Sequence, residues 1–235
     1  MGSRMDRRMD SRIDRHGPGL VAALLAVALA ASPVAASENS DEVRLGISAG
    51  HALSDRLSLA LDAQARLTEG GSRLGVIRLG GELSFESASG LTFAGGYDIT
   101  RSRPSGRPGD ATHRLYEQIG VPLGSLGRLR FDGRTRLEQR FRAEGNGGAS
   151  HRLRQRLRLL APLGGVRASV SGEALLLLHD GGGGGSGLEQ LRGTAGLQLP
   201  IGRKMAFEAA YMKRIVLAGR DRFDDVFDFK LTTEF

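Results

Sequence analysis

Arg152, Arg154, Arg156 and Arg158 stand at successive alternate positions, and Arg130, Arg134, Arg136 and Arg140 keep the same rhythm in the stretch before them. A guanidinium is planar, permanently charged and presents five donors in a fork. A column of them must therefore hold anions or be neutralised by carboxylates. Asp132 and Glu138 share the phase of these arginines, and Arg78, Glu82, Glu173, Arg192 and Glu208 occupy polar positions of other alternating stretches. Of the 33 Lys+Arg only Lys204, Lys213 and Lys230 are lysine, and the formal net charge is +7. Such an excess is first read as nucleic-acid binding. Here the arginines alternate with leucine and phenylalanine, and nucleic acid is not an expected partner.

Other catalytic chemistry is thin. The absence of cysteine excludes a disulfide framework, a thiol nucleophile and Cys-ligated metal. His51 lies near Ser48 and Ser54, and His179 is beside Asp180, but neither these nor His113 and His151 complete a Ser-His-carboxylate set. No His/Asp/Glu spacing suits a metal, so no cofactor is expected. The enzyme alternative, a lipid hydrolase or acyltransferase, has no nucleophile to point to.

The elements that position the arginines are strands. Leu57, Leu59, Leu61, Ala63, Ala65 and Leu67 alternate with Ser58, Asp62, Gln64 and Arg66, a period of two. The pattern recurs, through Leu129, Phe131, Leu137 and Phe141 against the second arginine column, to Phe227, Phe229, Leu231 and Phe235 against Asp228, Lys230 and Glu234. With 43–51 and 113–121 included, eleven stretches read as strands, most of them long enough to cross a membrane at a tilt. Short turns at 87–90, 162–165 and 200–204 interleave with longer polar loops at 68–73, 102–112, 143–150, 180–187 and 218–224. That alternation is the habit of outer-membrane barrels. The glycine run 181–185 falls in one of the longer loops, where flexibility costs no packing. Bacterial single-chain barrels usually have an even strand count. The expectation is thus an all-β, antiparallel transmembrane barrel of about 10–12 strands. Either 43–51 falls short of a strand, leaving ten, or an unseen strand makes twelve.

Ahead of the strands, residues 4–15 carry five arginines against three aspartates. An apolar run from Leu20 to Ala31 follows, then small residues up to Ala36. This is the form of a secretory signal cleaved after Ala36, and the run is too short for a spanning helix. Residues 1–36 are read as the leader and 37–235 as one barrel domain in the outer membrane of a Gram-negative cell.

An arginine on the lipid face costs roughly 2–4 kcal/mol near mid-membrane, so the arginine-bearing face must be the lumen. The lumen of a small barrel is narrow. Its charges are expected either to fill it as a structural network or to form a narrow passage or site for a small anionic solute. Glu117, Gln139 and Gln155 break the phase by sharing outward positions with leucines on three consecutive strands. They are either wet-rim residues or a patch for lipopolysaccharide headgroups, a partner barrel or a laterally accessible site. Phe227, Phe229, Leu231 and the terminal Phe235 form an apolar alternation of the kind read by the outer-membrane assembly machinery, although Thr233 interrupts it. A soluble periplasmic ligand-binding barrel is the remaining alternative, and it would reverse inside and outside.

Arg134-Thr-Arg-Leu-Glu-Gln-Arg-Phe141 followed by Arg152-Leu-Arg-Gln-Arg-Leu-Arg158 resembles a family of bacterial outer-membrane proteins catalogued as domain of unknown function 2490. His113-Arg-Leu-Tyr-Glu-Gln118 and Tyr211-Met-Lys are similar too. The resemblance implies an outer-membrane barrel and brings no activity or catalytic residues.

Overall fold

The computed structural model of the chain describes residues 40–104, 109–143, 148–182, 185–217 and 222–235. The leader with residues 37–39 and the centres of four of the longer loops, the middle of the glycine run being one of them, lie outside these residues. Eleven strands are present among them: β1 (Ser40–Ala52), β2 (Leu57–Thr68), β3 (Arg73–Glu86), β4 (Thr92–Ser102), β5 (Asp110–Leu126), β6 (Leu129–Arg142), β7 (Ser150–Leu163), β8 (Val166–His179), β9 (Gly187–Ile201), β10 (Met205–Val216) and β11 (Arg222–Glu234).

Each strand pairs with its neighbours in sequence, and β1 returns to β11 to close the barrel. Consecutive strands are antiparallel, whereas the closing pair is parallel, running from Ser40↔Asp224 to Gly50↔Glu234. This seam resolves the strand count. The preference for an even number assumes that the first and last strands meet antiparallel. A parallel ladder also satisfies the backbone groups of both edges, at a slightly weaker pairing per residue. The stretch 43–51 is thus a full strand, extended at both ends, and the count is eleven.

Connections at one rim are tight. Residues 127–128 and 164–165 suffice to join β5 to β6 and β7 to β8, with Gly127 at φ 58° and Gly164 at φ 63°. Hairpins of two residues need positive φ, which glycine adopts without strain. The other rim carries the longer loops, with two corrections to the expected boundaries. β2 and β3 end and begin at Thr68 and Arg73, so only a four-residue turn remains, and Asp224 belongs to β11 rather than to the preceding loop. Both corrections arise because polar residues at a strand end read as loop when only composition is visible.

The barrel inverts the usual distribution of polarity. Leu61, Leu79, Leu83, Phe93, Leu115, Leu157, Leu197, Phe227 and many other large apolar side chains are exposed on its outer face. Glu42, Arg44, Asp98, Glu138, Arg152 and Asp224 are buried in its interior. Leu175, Met212 and Val226 form a smaller apolar contribution to that interior.

Candidate functional site

The register of β6 and β7 sets the interior chemistry. Four consecutive inward rows place Asp132 opposite Arg158, Arg134 opposite Arg156, Arg136 opposite Arg154, and Glu138 opposite Arg152. On the far side of β7, Arg156 faces Glu173 on β8, which in turn faces Arg192 on β9. Period-two alternation within each strand and in-register pairing between strands thus collect the arginine columns into one sheet of charge.

Two carboxylates act as hubs. Glu138, fully buried, lies 2.8 Å from Arg154, 3.2 Å from Arg114 and 3.9 Å from Arg152. Glu173 lies 2.7 Å from both Arg134 and Arg154 and 3.4 Å from Arg192. Arg154 donates to both hubs, and Arg114 also bonds Asp98. A third centre crosses the seam. Arg214 of β10 lies 2.7 Å from Asp224 of β11 and 3.4 Å from Glu42 of β1, which also pairs with Arg44. Lys230 of β11 reaches Asp62 of β2 at 3.3 Å.

Tyr116 is the aromatic member of the interior. Its hydroxyl donates to Glu82 at 3.0 Å, and the Arg136 guanidinium lies 4.0 Å from its ring centroid. Arg136 also donates to Gln118. The ring lies over Gly96, where an added Cβ would come within 2.3 Å of the ring and hydroxyl. The absence of a side chain at that position is what lets a tyrosine lie flat against the wall.

All fifteen expected lumen residues fall in inward phase. Glu82, Asp132, Arg134, Arg136, Glu138, Arg152, Arg154, Arg156, Arg158, Glu173 and Arg192 join ion pairs. Arg78, Arg130, Arg140 and Glu208 have no carboxylate or cation within ion-pair distance among the described residues. Arg130 sits exposed at the short-turn rim. The interior also contains Glu42, Arg44, Asp98, Arg114, Glu189, Arg214 and Asp224, which were not expected as site residues. Glu189 alternates with Gln190 and Arg192 and so reads as outward. Between Leu188 and Gln190, however, the β8–β9 register slips by a residue, and Glu189 bonds Arg152 at 2.7 Å. A bulge re-aims a side chain in this way, and period-two reading has no means of seeing it.

The charges are unevenly spread. In inward phase on β6–β9 are Arg130, Arg134, Arg136, Arg140, Arg152, Arg154, Arg156, Arg158, Arg167 and Arg192, against Asp132, Glu138, Glu173 and Glu189. Across the lumen, β10, β11 and β1–β3 combine Arg44, Arg66, Arg78, Arg214 and Lys230 with Glu42, Asp62, Glu82, Glu208, Asp224 and Asp228. Burial is uneven too. The side chain of Arg152, near the long-loop rim, is 9% exposed, and that of Arg158, toward the short turns, is 37% exposed. The interior is therefore packed in its long-loop half and more open in the other.

On the outer face, Gln139 donates to Glu117 at 3.1 Å, and Thr135 bonds Gln155 at 2.6 Å. The three phase-breaking residues become two hydrogen-bonded pairs strung along β6, with Thr135 as an added partner. Phe227, Phe229 and Phe235 project outward and are exposed. The backbone N–H of Phe235 donates to the Gly50 carbonyl, and its ring stacks on His51 at 5.0 Å, fastening the end of β11 to β1. His113 contacts Tyr97, and His151 pairs with His179.

The class so defined is a closed β-barrel with an ion-paired interior and an apolar exterior. Residues 45–223 match the family described as a protein of unknown function, DUF2490, and the chain belongs to that family. An uncharacterised protein of Methylorubrum extorquens is 27% identical over 205 residues, covering 85% of this chain and 89% of the relative. No solved structure matches.

Proposed function

We propose that this protein is an outer-membrane β-barrel of a Gram-negative envelope, with its long loops outside and its short turns in the periplasm. The observation that carries this reading is the inversion of polarity around a closed barrel. A continuous belt of exposed leucine and phenylalanine would drive a water-soluble protein to associate, whereas lipid stabilises it. Phe131 and Phe141 bracket the outer face of β6. Ten residues of tilted strand between them rise about 25 Å, the height of the apolar band of such barrels. Phe227, Phe229, Leu231 and Phe235 would be the segment recognised during assembly, and the pairs around Glu117, Gln139 and Gln155 would meet lipopolysaccharide headgroups or a partner barrel.

The interior network is first of all structural, standing where a soluble protein has its apolar core. Its surplus of arginine on one wall gives any narrow passage a preference for anions. Sedimentation with the outer membrane and a heat-dependent shift of mobility in detergent gels are the expected outcomes. Recovery in the soluble periplasmic fraction would overturn the membrane reading. In planar bilayers the purified protein should conduct weakly and select anions. A wide or cation-selective channel would remove the anion reading while leaving the barrel intact.

A further inference from the structure

Arg134 and Arg156 face each other directly across β6 and β7, an arrangement in which like charges repel. Their carboxylates do not match them in number. Arg134 relies on Glu173, which also serves Arg154 and Arg192. Among the described residues Arg156 has only Asp132 within ion-pair distance, at 3.9 Å, although Glu173 stands opposite it, and Asp132 already holds Arg158 at 3.0 Å. The Nε of Arg134 and that of Arg156 are both buried with no hydrogen-bond partner. Buried donors left unpaired are costly, so two donors of this corner have no acceptor among the described residues.

The same corner is reachable. The side chains of Arg156 and Arg158 are more exposed than that of Arg154, further into the packed half. Small residues flank them: Gly120 of β5 opposes Arg134, and Ser171 of β8 opposes Arg158. Three guanidinium forks on adjacent rows of β6 and β7 call for an acceptor with several oxygens and more than one negative charge. A monocarboxylate meets one fork, whereas a phosphate group meets all three.

We propose that Arg134, Arg156 and Arg158 form a binding site for a phosphate group, reached from the short-turn mouth of the barrel. The group belongs either to a free phosphate-bearing solute or to a lipid headgroup entering the mouth. The site deepens the proposed function, because the outer-membrane reading makes that mouth periplasmic, but binding itself does not depend on location.

Calorimetry on the full-length protein, folded in an uncharged sugar detergent, tests this with inorganic phosphate in one arm and lysophosphatidic acid in mixed micelles in the other. Phosphate should bind, and Arg156→Gln should weaken it by about tenfold or more, the loss of one charge-assisted pair. Arg158→Gln, at the exposed mouth, should weaken it as well and serves where Arg156→Gln does not fold. Binding of the lysolipid alone, lost in the same variants, identifies the headgroup as the source. Binding of neither probe, or equal binding by wild type and folded variants, overturns the site. Phosphate binding by a protein that fractionates with the soluble periplasm would strike the membrane reading and leave the site standing.

Discussion

Glu138 offers two oxygens to three guanidinium neighbours, and no water reaches it. Removing its charge leaves Arg154 with Glu173 and Arg114 with Asp98 as their remaining carboxylates, and each buried guanidinium loses one of its two ion pairs. Breaking one partner of a buried ionic network costs about 3–5 kcal/mol. Glu138→Gln should therefore lower the temperature at which the folded gel band converts to the unfolded one, with a loss of that order. Glu208→Gln removes a carboxylate that holds no ion pair and should change stability by under about 1 kcal/mol. Equal effects of the two would mean that the network has no energetic centre. Gly96→Ala should cost about 1–3 kcal/mol by pushing a methyl group into Tyr116, and Tyr116→Ala in the same chain should recover part of it. At this scale the sequence was informative where alternation was regular. Arg152, Arg154, Arg156 and Arg158 were legible as one inward set because Leu153 and Leu157 alternate with them, and Glu173 because it shares the polar phase of its own strand. Glu189 was not, since a bulge turned it inward, and neither were Glu42 and Arg44, whose strand was in doubt.

The seam between β1 and β11 is the element on which closure depends. Strand order was readable from eleven alternating stretches, but no residue announces which edge a first strand will join or in which direction. A parallel seam has a specific register, with Leu45 opposite Phe229 on the outer face. The native chain contains no cysteine, so a single engineered pair reports cleanly. Leu45→Cys with Phe229→Cys should form an intramolecular disulfide under mild oxidation, because neighbouring strands bring Cα atoms within bridging distance. Leu45→Cys with Phe227→Cys, one inward–outward period out of register, should cross-link far less. If β2 closed on β11 and β1 lay elsewhere, neither pair would link. Asp224 shows why the seam chemistry stayed hidden. Its place after a polar loop suggested loop, yet pairing with β1 and β10 draws it into the wall, where it meets Arg214 and Arg222.

Across the whole molecule, the apolar outer belt and the charged interior are two consequences of one alternating pattern, which is why the all-β barrel was legible before any geometry. What alternation could not convey is that the interior is packed toward one rim and more open toward the other, because that depends on side-chain size strand by strand around the ring. An odd number of crossings has its own consequence. Since β1 starts at the long-loop rim and β11 finishes at the short-turn rim, the first and last strands of the barrel begin and end on opposite sides of whatever layer it occupies. In the outer membrane, an epitope placed just before Ser40 should be reached by antibody on intact cells, and one following Phe235 only after permeabilisation. Labelling of both from the same side would be incompatible with the seam. By the same topology, a short peptide cannot splice the end of β11 to the start of β1, because it would have to run the full height of the wall.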